Sequence, residues 1–501
     1  MKKILFILLL IGAATCATTY ATNSAAQVKK FAATDLPTSI TDVFTKTQVP
    51  LDSVAILVKE VGARETIIAH NIDKPMNPAS VMKLITTYAG LEVLGPAHTW
   101  RTDVFITGEV RGTTLNGNLV LKGMGDPRLT VERFWLLLKQ LRERGLKQIN
   151  GDLIIDKSFF GVIAGDPAKF DGEATRAYNV LPDAFLLNFK AVRFQFAPAI
   201  DDKSVSISPD VKPAQLEIIN RTKLVDAPCG DWRERIKSDI QTPVSPTTSA
   251  QIIITFTGNY PRSCGERAWN ISLLDHARFV GGVFATMWAD VGGTWKGAVV
   301  VAPIPRDAKL IASTESPALS EVVRDINKYS NNVMARQLYL SLSGPNAVDR
   351  TPATTAKSFA IVRDWLTRKN IAAAELVIEN GAGLSRIERV SAATLAALLD
   401  AAWRSAVMPE FISSLSLVGI DGTFRRRVRG DVVSGNAHMK SGTLNDVRAI
   451  AGYVLAGDDR RYIMVMMVNN SNAILTQAAQ DALLQWVYAR ALPALPPVPS
   501  N

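Results

Sequence analysis

Apolar residues fall into distinct patterns along this chain. From 53 to 70, SVAILVKEVGARETIIAH holds two apolar runs parted by Gly62-Ala63-Arg64, which predicts two short strands joined by a turn. In NPASVMKLITTYAGLEVLGP, residues 77–96, Val81, Leu84, Ile85 and Tyr88 recur on one helical face, and Gly95-Pro96 closes the segment. Towards the other end, AHMKSGT, VRAIAGYVL and RYIMVMMV read as three strands, the last two joined across Gly457-Asp458-Asp459. A helix is predicted over about 474–491, ahead of the tail LPALPPVPSN, and most of 317–344 and 385–411 has helical character.

The texture changes between about 100 and 303. Strand-like segments such as GNLVLKGMGDP, INGDLIIDKSFF, VRFQFAP, SVSISPD and AQIIITFTG alternate there with Pro, Gly and Asp. The prediction is a multidomain α/β protein: antiparallel strands from both chain ends form a helix-covered sandwich, interrupted by inserted β-rich domains. The expected divisions are 27–100 and 304–492 for the sandwich, 101–190 with 271–303 for one insert, 191–270 for a second, and a Pro-rich tail at 493–501. No internal repeat or long low-complexity tract is visible.

Composition and charge narrow this picture. The 501 residues are 47% apolar and 20% charged, which favours packed cores over disorder. The opening MKKILFILLLIGAATCATTYATNSAAQ has two lysines, an apolar run and then small residues, the pattern of a secretory signal peptide ending by residue 26. No later stretch is apolar for the ~18 residues a membrane span needs. The net charge of +10 is spread along the chain except at RRRVR, 425–429; after an export signal this run reads as a solvated basic loop, with no nucleic-acid partner. Outside the signal two cysteines remain, Cys229 and Cys264, and in an oxidising compartment they are expected to form one disulfide. His70, His98, His276 and His438 form no ligand-like cluster, so no metal site is expected.

The candidate chemistry lies in three short motifs. Ser80-Val81-Met82-Lys83 is the only Ser-x-x-Lys in the chain, and it places a hydroxyl and an amine one helical turn apart. Ser330-Asn331-Asn332 falls between two helical patterns, and Lys440-Ser441-Gly442-Thr443 ends a strand-like run. Each is weak alone: Ser80 and Ser330 also read as helix N-caps, Lys440 as a solvated strand-end lysine, and Ser434-Gly435-Asn436 is a second Ser-x-Asn.

Taken in order, the motifs resemble the signature of the penicillin-recognising serine enzymes. The roughly 245 residues between the first two motifs narrow the resemblance to the class C low-molecular-mass penicillin-binding proteins, the D-alanyl-D-alanine carboxypeptidase/endopeptidase family. GMGDPRLT, YNVLPDAFLLNF, GAGLSRIERVS, GIDGTFRRR and MKSGTLNDVRAIAGYV are similar to that family too. Two departures stand out: Asn380 and Ala382 replace an Asp and a Ser that the family often carries, and Ser441 replaces the more usual Thr. A β-lactamase would share the motifs, but the long insert and the lack of a Glu-x-x-Leu-Asn sequence argue against one. A non-catalytic wall-binding scaffold would be expected to have lost a motif.

The resemblance implies a β-lactamase/transpeptidase-like sandwich, peptidoglycan peptides as substrates, β-lactams as covalent inhibitors, a periplasmic location and no cofactor. It also implies roles. Ser80 would be the nucleophile, Lys83 its base, and Ser330 a relay to the leaving amine. Asn332, Lys440, Ser441, Gly442 and Thr443 would bind substrate, with the oxyanion between the backbone amides of Ser80 and Thr443. The physical demand falls on Lys83, whose ammonium must lose about 4 to 5 kcal/mol of relative stability to be neutral near pH 7; partial burial and a neighbouring Lys440 could supply it.

Overall fold

The computed structural model describes residues 36–490, apart from Ala164, 242–250 and Ala347. The expected signal peptide and Pro-rich tail lie outside the described residues. A six-stranded antiparallel sheet forms the base of the molecule, in the order Ser416–Leu417, Ala437–Leu444, Val447–Leu455, Arg461–Asn469, Val54–Glu60, Ile68–His70. The two chain ends meet where Ile56 pairs with Met466.

Alternate side chains enter different cores, as the pleat requires. Val54, Ile56 and Val58 pack with Ile40, Phe44, Leu483 and Leu484 of the flanking helices Thr38–Lys46 and Gln477–Arg490. Ala55 and Leu57 join Leu84, Ile85, Tyr88, Val322 and Leu395 on the other face. Burial on both faces explains why VAILV and YIMVMMV are continuously apolar. The helix Lys83–Val93 is buried at every position from Lys83 to Leu91, among the helices Leu319–Tyr329, Asn332–Ser341, Thr355–Arg368, Ala392–Trp403 and Met408–Ser414.

The structure sharpens two expectations and corrects a third, the solvated basic run. The 385–411 stretch is helical only from Ala392; before it, Val390 exchanges backbone hydrogen bonds with Met76, and Arg389 with Val377, which holds 385–391 extended or turned. The insert carries helices as well as strands. Val131–Glu143 buries Val131, Phe134, Leu137, Leu138 and Leu141, and His276–Asp290 begins at Asp275, whose side chain caps the Arg278 amide. The basic run is not wholly solvated, because the Arg427 guanidinium is paired with Asp481.

In the insert, a mixed five-stranded sheet runs Val299–Val301, Leu153–Asp156, Leu119–Gly123, Arg101–Ile106, Lys309–Glu315. A four-stranded and two three-stranded sheets accompany it, and one apolar cluster links Val104, Phe194, Phe256, Trp288 and Ala312 across these layers. Cys229 and Cys264 are disulfide-bonded here, 35 residues apart in sequence.

Candidate active site

Ser80 is not an N-cap. It lies within a 3-10 turn, Ala79–Met82, that leads into the helix starting at Lys83. The preceding Ala79 has φ 46°, a left-handed conformation costly for a residue with a Cβ. Asn77 holds this turn in place. Its Oδ1 accepts from the Ala79 amide at 2.9 Å and its Nδ2 donates to the Ser385 carbonyl at 2.8 Å. Asn469 brackets its backbone, accepting from the amide at 2.7 Å and donating to the carbonyl at 3.0 Å.

Lys83 is fully buried, and its Nζ meets the Ser80 Oγ at 2.9 Å, the Asn332 Oδ1 at 2.7 Å and the Ala382 carbonyl. Two of these three partners can only accept. A neutral amine gives its two hydrogens to them, and its lone pair then faces the one partner able to donate, the Ser80 hydroxyl. Burial holds the Lys83 pKa well below its ordinary value; the charges of Lys440 and Arg336 push it the same way, and Glu388 opposes them.

Ser330 is likewise no N-cap. It ends the Leu319–Tyr329 helix at φ 55°, while Asn331 caps the next helix by accepting from the Met334 amide at 3.0 Å. The Lys440 Nζ donates to Ser330 Oγ at 3.0 Å and to the Ser441 carbonyl at 2.8 Å. Lys440 is also fully buried, and burial lowers its pKa to about 7. The structure thus brings Ser80, Lys83 and Asn332 into one hydrogen-bonded group and Ser330 and Lys440 into an adjoining pair.

Gly442 lets the Ala437–Leu444 strand press against the turn that carries Ser80. A Cβ there would sit 2.4 Å from the Pro78 carbonyl oxygen and 3.1 Å from the Ser80 amide nitrogen. The hydroxyls of Ser441 and Thr443 lie at the sheet edge, where Ser441 Oγ is 2.9 Å from Thr423 Oγ1 and Thr443 Oγ1 accepts from Arg448 Nη1 at 3.0 Å. The Asn332 Nδ2 reaches the Tyr178 carbonyl at 3.4 Å, the long contact tying this site to the insert.

Sequence reasoning missed the support behind Lys83. Glu388 is fully buried, and its Oε1 accepts from the amides of Glu379, Asn380 and Gly381 at 3.1, 2.9 and 3.1 Å. That cage fixes the loop whose Ala382 carbonyl binds Lys83. Gly383, at φ 80°, could not be replaced, since a Cβ would lie 1.9 Å from the Ala79 carbonyl oxygen. The departure at Asn380 also has a local reason: its Oδ1 accepts from the Ala382 amide and its Nδ2 donates to the Leu384 carbonyl, both at 2.9 Å, and an aspartate could not make the second bond. A cleft of about 430 Å³ opens alongside, lined by Phe170, Arg336, Tyr339, Asn380, Leu384 and Arg386.

Comparison with known proteins gives this arrangement its relatives. The model of the D-Ala-D-Ala carboxypeptidase 3 (S13) family matches residues 36–490. The chain belongs to that family. Among family relatives, the D-alanyl-D-alanine carboxypeptidase of Actinomadura sp. (strain R39) is 27% identical over 451 residues, covering 85% of this chain and 80% of the relative. D-alanyl-D-alanine carboxypeptidase DacB of Haemophilus influenzae is 22% identical over 427 residues, covering 83% and 85%. The fold is similar to the crystal structure of penicillin binding protein 4 (dacB) from Haemophilus influenzae, with TM-score 0.68 and 21% identity over 89% of this chain and 99% of that one. The carboxypeptidase family and the sandwich architecture expected from the motifs are therefore those of this chain.

Proposed function

We propose that this serine D-alanyl-D-alanine carboxypeptidase works through an acyl-enzyme on Ser80. The observation that carries the reading is the set of partners around the Lys83 nitrogen: two acceptors and one hydroxyl, in full burial beside a second lysine. A neutral Lys83 takes the Ser80 proton as the oxygen attacks the penultimate D-alanine carbonyl. The developing oxyanion sits between the Ser80 and Thr443 amides, a position reached because Gly442 allows the close approach. Ser330, whose oxygen accepts from Lys440, keeps its hydrogen free for the leaving amine. Water then releases the acyl group.

Asn332 holds both Lys83 and the substrate's peptide amide. Ser441 and Thr443 receive the terminal carboxylate within the field of Lys440. A cross-link through the D-centre of diaminopimelate also carries a carboxylate beside the scissile nitrogen, so endopeptidase cleavage belongs to the same reading, as does acylation by β-lactams. Residues 1–26 are read as the export signal to the periplasm. The sandwich is assigned to 27–100 and 304–492, less the strand Lys309–Glu315, which pairs with Arg101–Ile106 and so goes with the insert, and the inserts to 101–190 with 271–303 and to 191–270.

The test is intact-protein and peptide mass spectrometry after penicillin treatment, alongside D-alanine release from a pentapeptide. One adduct on the peptide containing Ser80, lost together with D-alanine release in Ser80→Ala, is the expected result. An adduct on another serine would refute the assignment. Rapid turnover of a coloured cephalosporin would instead mark a β-lactamase.

A further inference from the structure

Arg448 faces Thr443 directly across the hairpin formed by Ala437–Leu444 and Val447–Leu455, so both side chains lie on one face of the sheet. Its guanidinium donates to Thr443 Oγ1 at 3.0 Å and to the Gln477 side-chain oxygen, at the start of the C-terminal helix. Both acceptors are neutral. Among the described residues no carboxylate lies within ion-pair distance of Arg448; Asp481, the nearby candidate, is paired with Arg427. The Arg448 Nε is buried without a hydrogen-bond partner. A half-buried cation lacking a counter-ion is an unfavourable feature to retain unless an anion arrives to complete it.

The carboxylate position proposed above supplies that anion, and the inference rests on that reading. Because Thr443 Oγ1 accepts from Arg448, its own hydrogen is turned away from the guanidinium and is available on the exposed side. Lys440 is less suited to hold a carboxylate, because it is enclosed and already engaged with Ser330 and the Ser441 carbonyl. We infer that Arg448 makes the site selective for a free C-terminal carboxylate, supplying the opposing charge and orienting the Thr443 hydroxyl as donor. Lys440 remains with the proton-transfer groups.

The experiment compares kcat/KM for two peptides, one ending in D-Ala-D-Ala as the free acid and one as the C-terminal amide, in wild type, Arg448→Gln, Arg448→Lys and Thr443→Val. Loss of one charge-assisted hydrogen bond corresponds to about a 30-fold drop. Arg448→Gln should lose about that much on the free acid and little on the amide, with Arg448→Lys between. Arg448→Gln added to Thr443→Val should cost less than it does alone, since the two groups act as a unit. Equal losses on both peptides would mean that Arg448 only holds the hairpin together, and no loss on the free acid would remove it from recognition; either result overturns the inference. A wild type that releases D-alanine while Arg448→Gln behaves like it sinks this inference alone. A wild type that releases nothing from either peptide and is not acylated at Ser80 sinks the reading beneath it as well.

Discussion

Replacing Lys440 by methionine is predicted to raise stability near neutral pH while removing activity. Lys440 titrates at about 7 in the folded chain because it is wholly buried, against 10.5 for a free lysine. Between those values the unfolded chain binds more protons than the folded one, so wild-type stability rises with pH across this window and is lowest below it. The slope is about 1.4 kcal/mol per pH unit, and at pH 7 burial of this lysine costs about 4 kcal/mol. Methionine fills a similar volume without that cost. It forfeits the bonds to Ser330 and the Ser441 carbonyl, worth about 1 kcal/mol each. The net gain is about 2 kcal/mol at pH 7, shrinking to nothing at about pH 9 and reversing above it. Urea unfolding of both proteins from pH 6 to 10, followed by tryptophan fluorescence, measures the difference; labelling by a fluorescent penicillin should fall by about a hundredfold in the same variant. A stability difference that is constant with pH, or a Lys440→Met protein that keeps the wild-type labelling rate, would show that burial of this charge is not what sets its behaviour.

Two further perturbations separate geometry from charge. Gly442→Ala places a methyl 2.4 Å from the Pro78 carbonyl oxygen, so the strand must retreat from Ser80; acylation should fall by about a hundredfold while the thermal midpoint moves by only a few degrees, and unchanged acylation would disprove the close approach. Reducing the Cys229–Cys264 bond should cost about 4 kcal/mol, the loop-entropy value for a separation of 35, and leave Ser80 labelling intact, because the cysteines belong to a different apolar cluster from the helices around Ser80 and Lys83. An unaltered urea midpoint after reduction would contradict the first part.

Legibility in the sequence followed physical scale. Ser80 and Lys83 could be paired on paper because one helical turn joins them, and the central strands could be found because burial on both faces leaves unbroken apolar runs. The 385–391 segment misled because its apolar residues sit at near-helical spacing, whereas its conformation is set by Met76 and Val377, which are distant in the chain. The helix Val131–Glu143 was readable, with Val131, Phe134, Leu137, Leu138 and Leu141 in register, yet the surrounding strand signals masked it. Glu388, the Asn77–Asn469 clamp and Arg448 could not be found in this way. The asparagines are 392 residues apart, and although Glu388 and Arg448 bond to Gly381 and Thr443, only 7 and 5 residues away, those contacts depend on a loop and a hairpin whose geometry no residue pattern announces.

The seam between Val54–Glu60 and Arg461–Asn469 also sets a schedule for making the enzyme. A chain synthesised from its N-terminus presents the first strand and Ser80 roughly 400 residues before the partner strand exists, an interval of about 20–80 s at ordinary elongation rates. For most of that time Lys440 is missing too, so Lys83 stands beside Ser80 without the burial, and without the neighbouring charge, that lower its pKa. On the proposed mechanism a chain cut short before Lys440 is expected to take no penicillin label, so that completing the fold is what switches the hydrolase on.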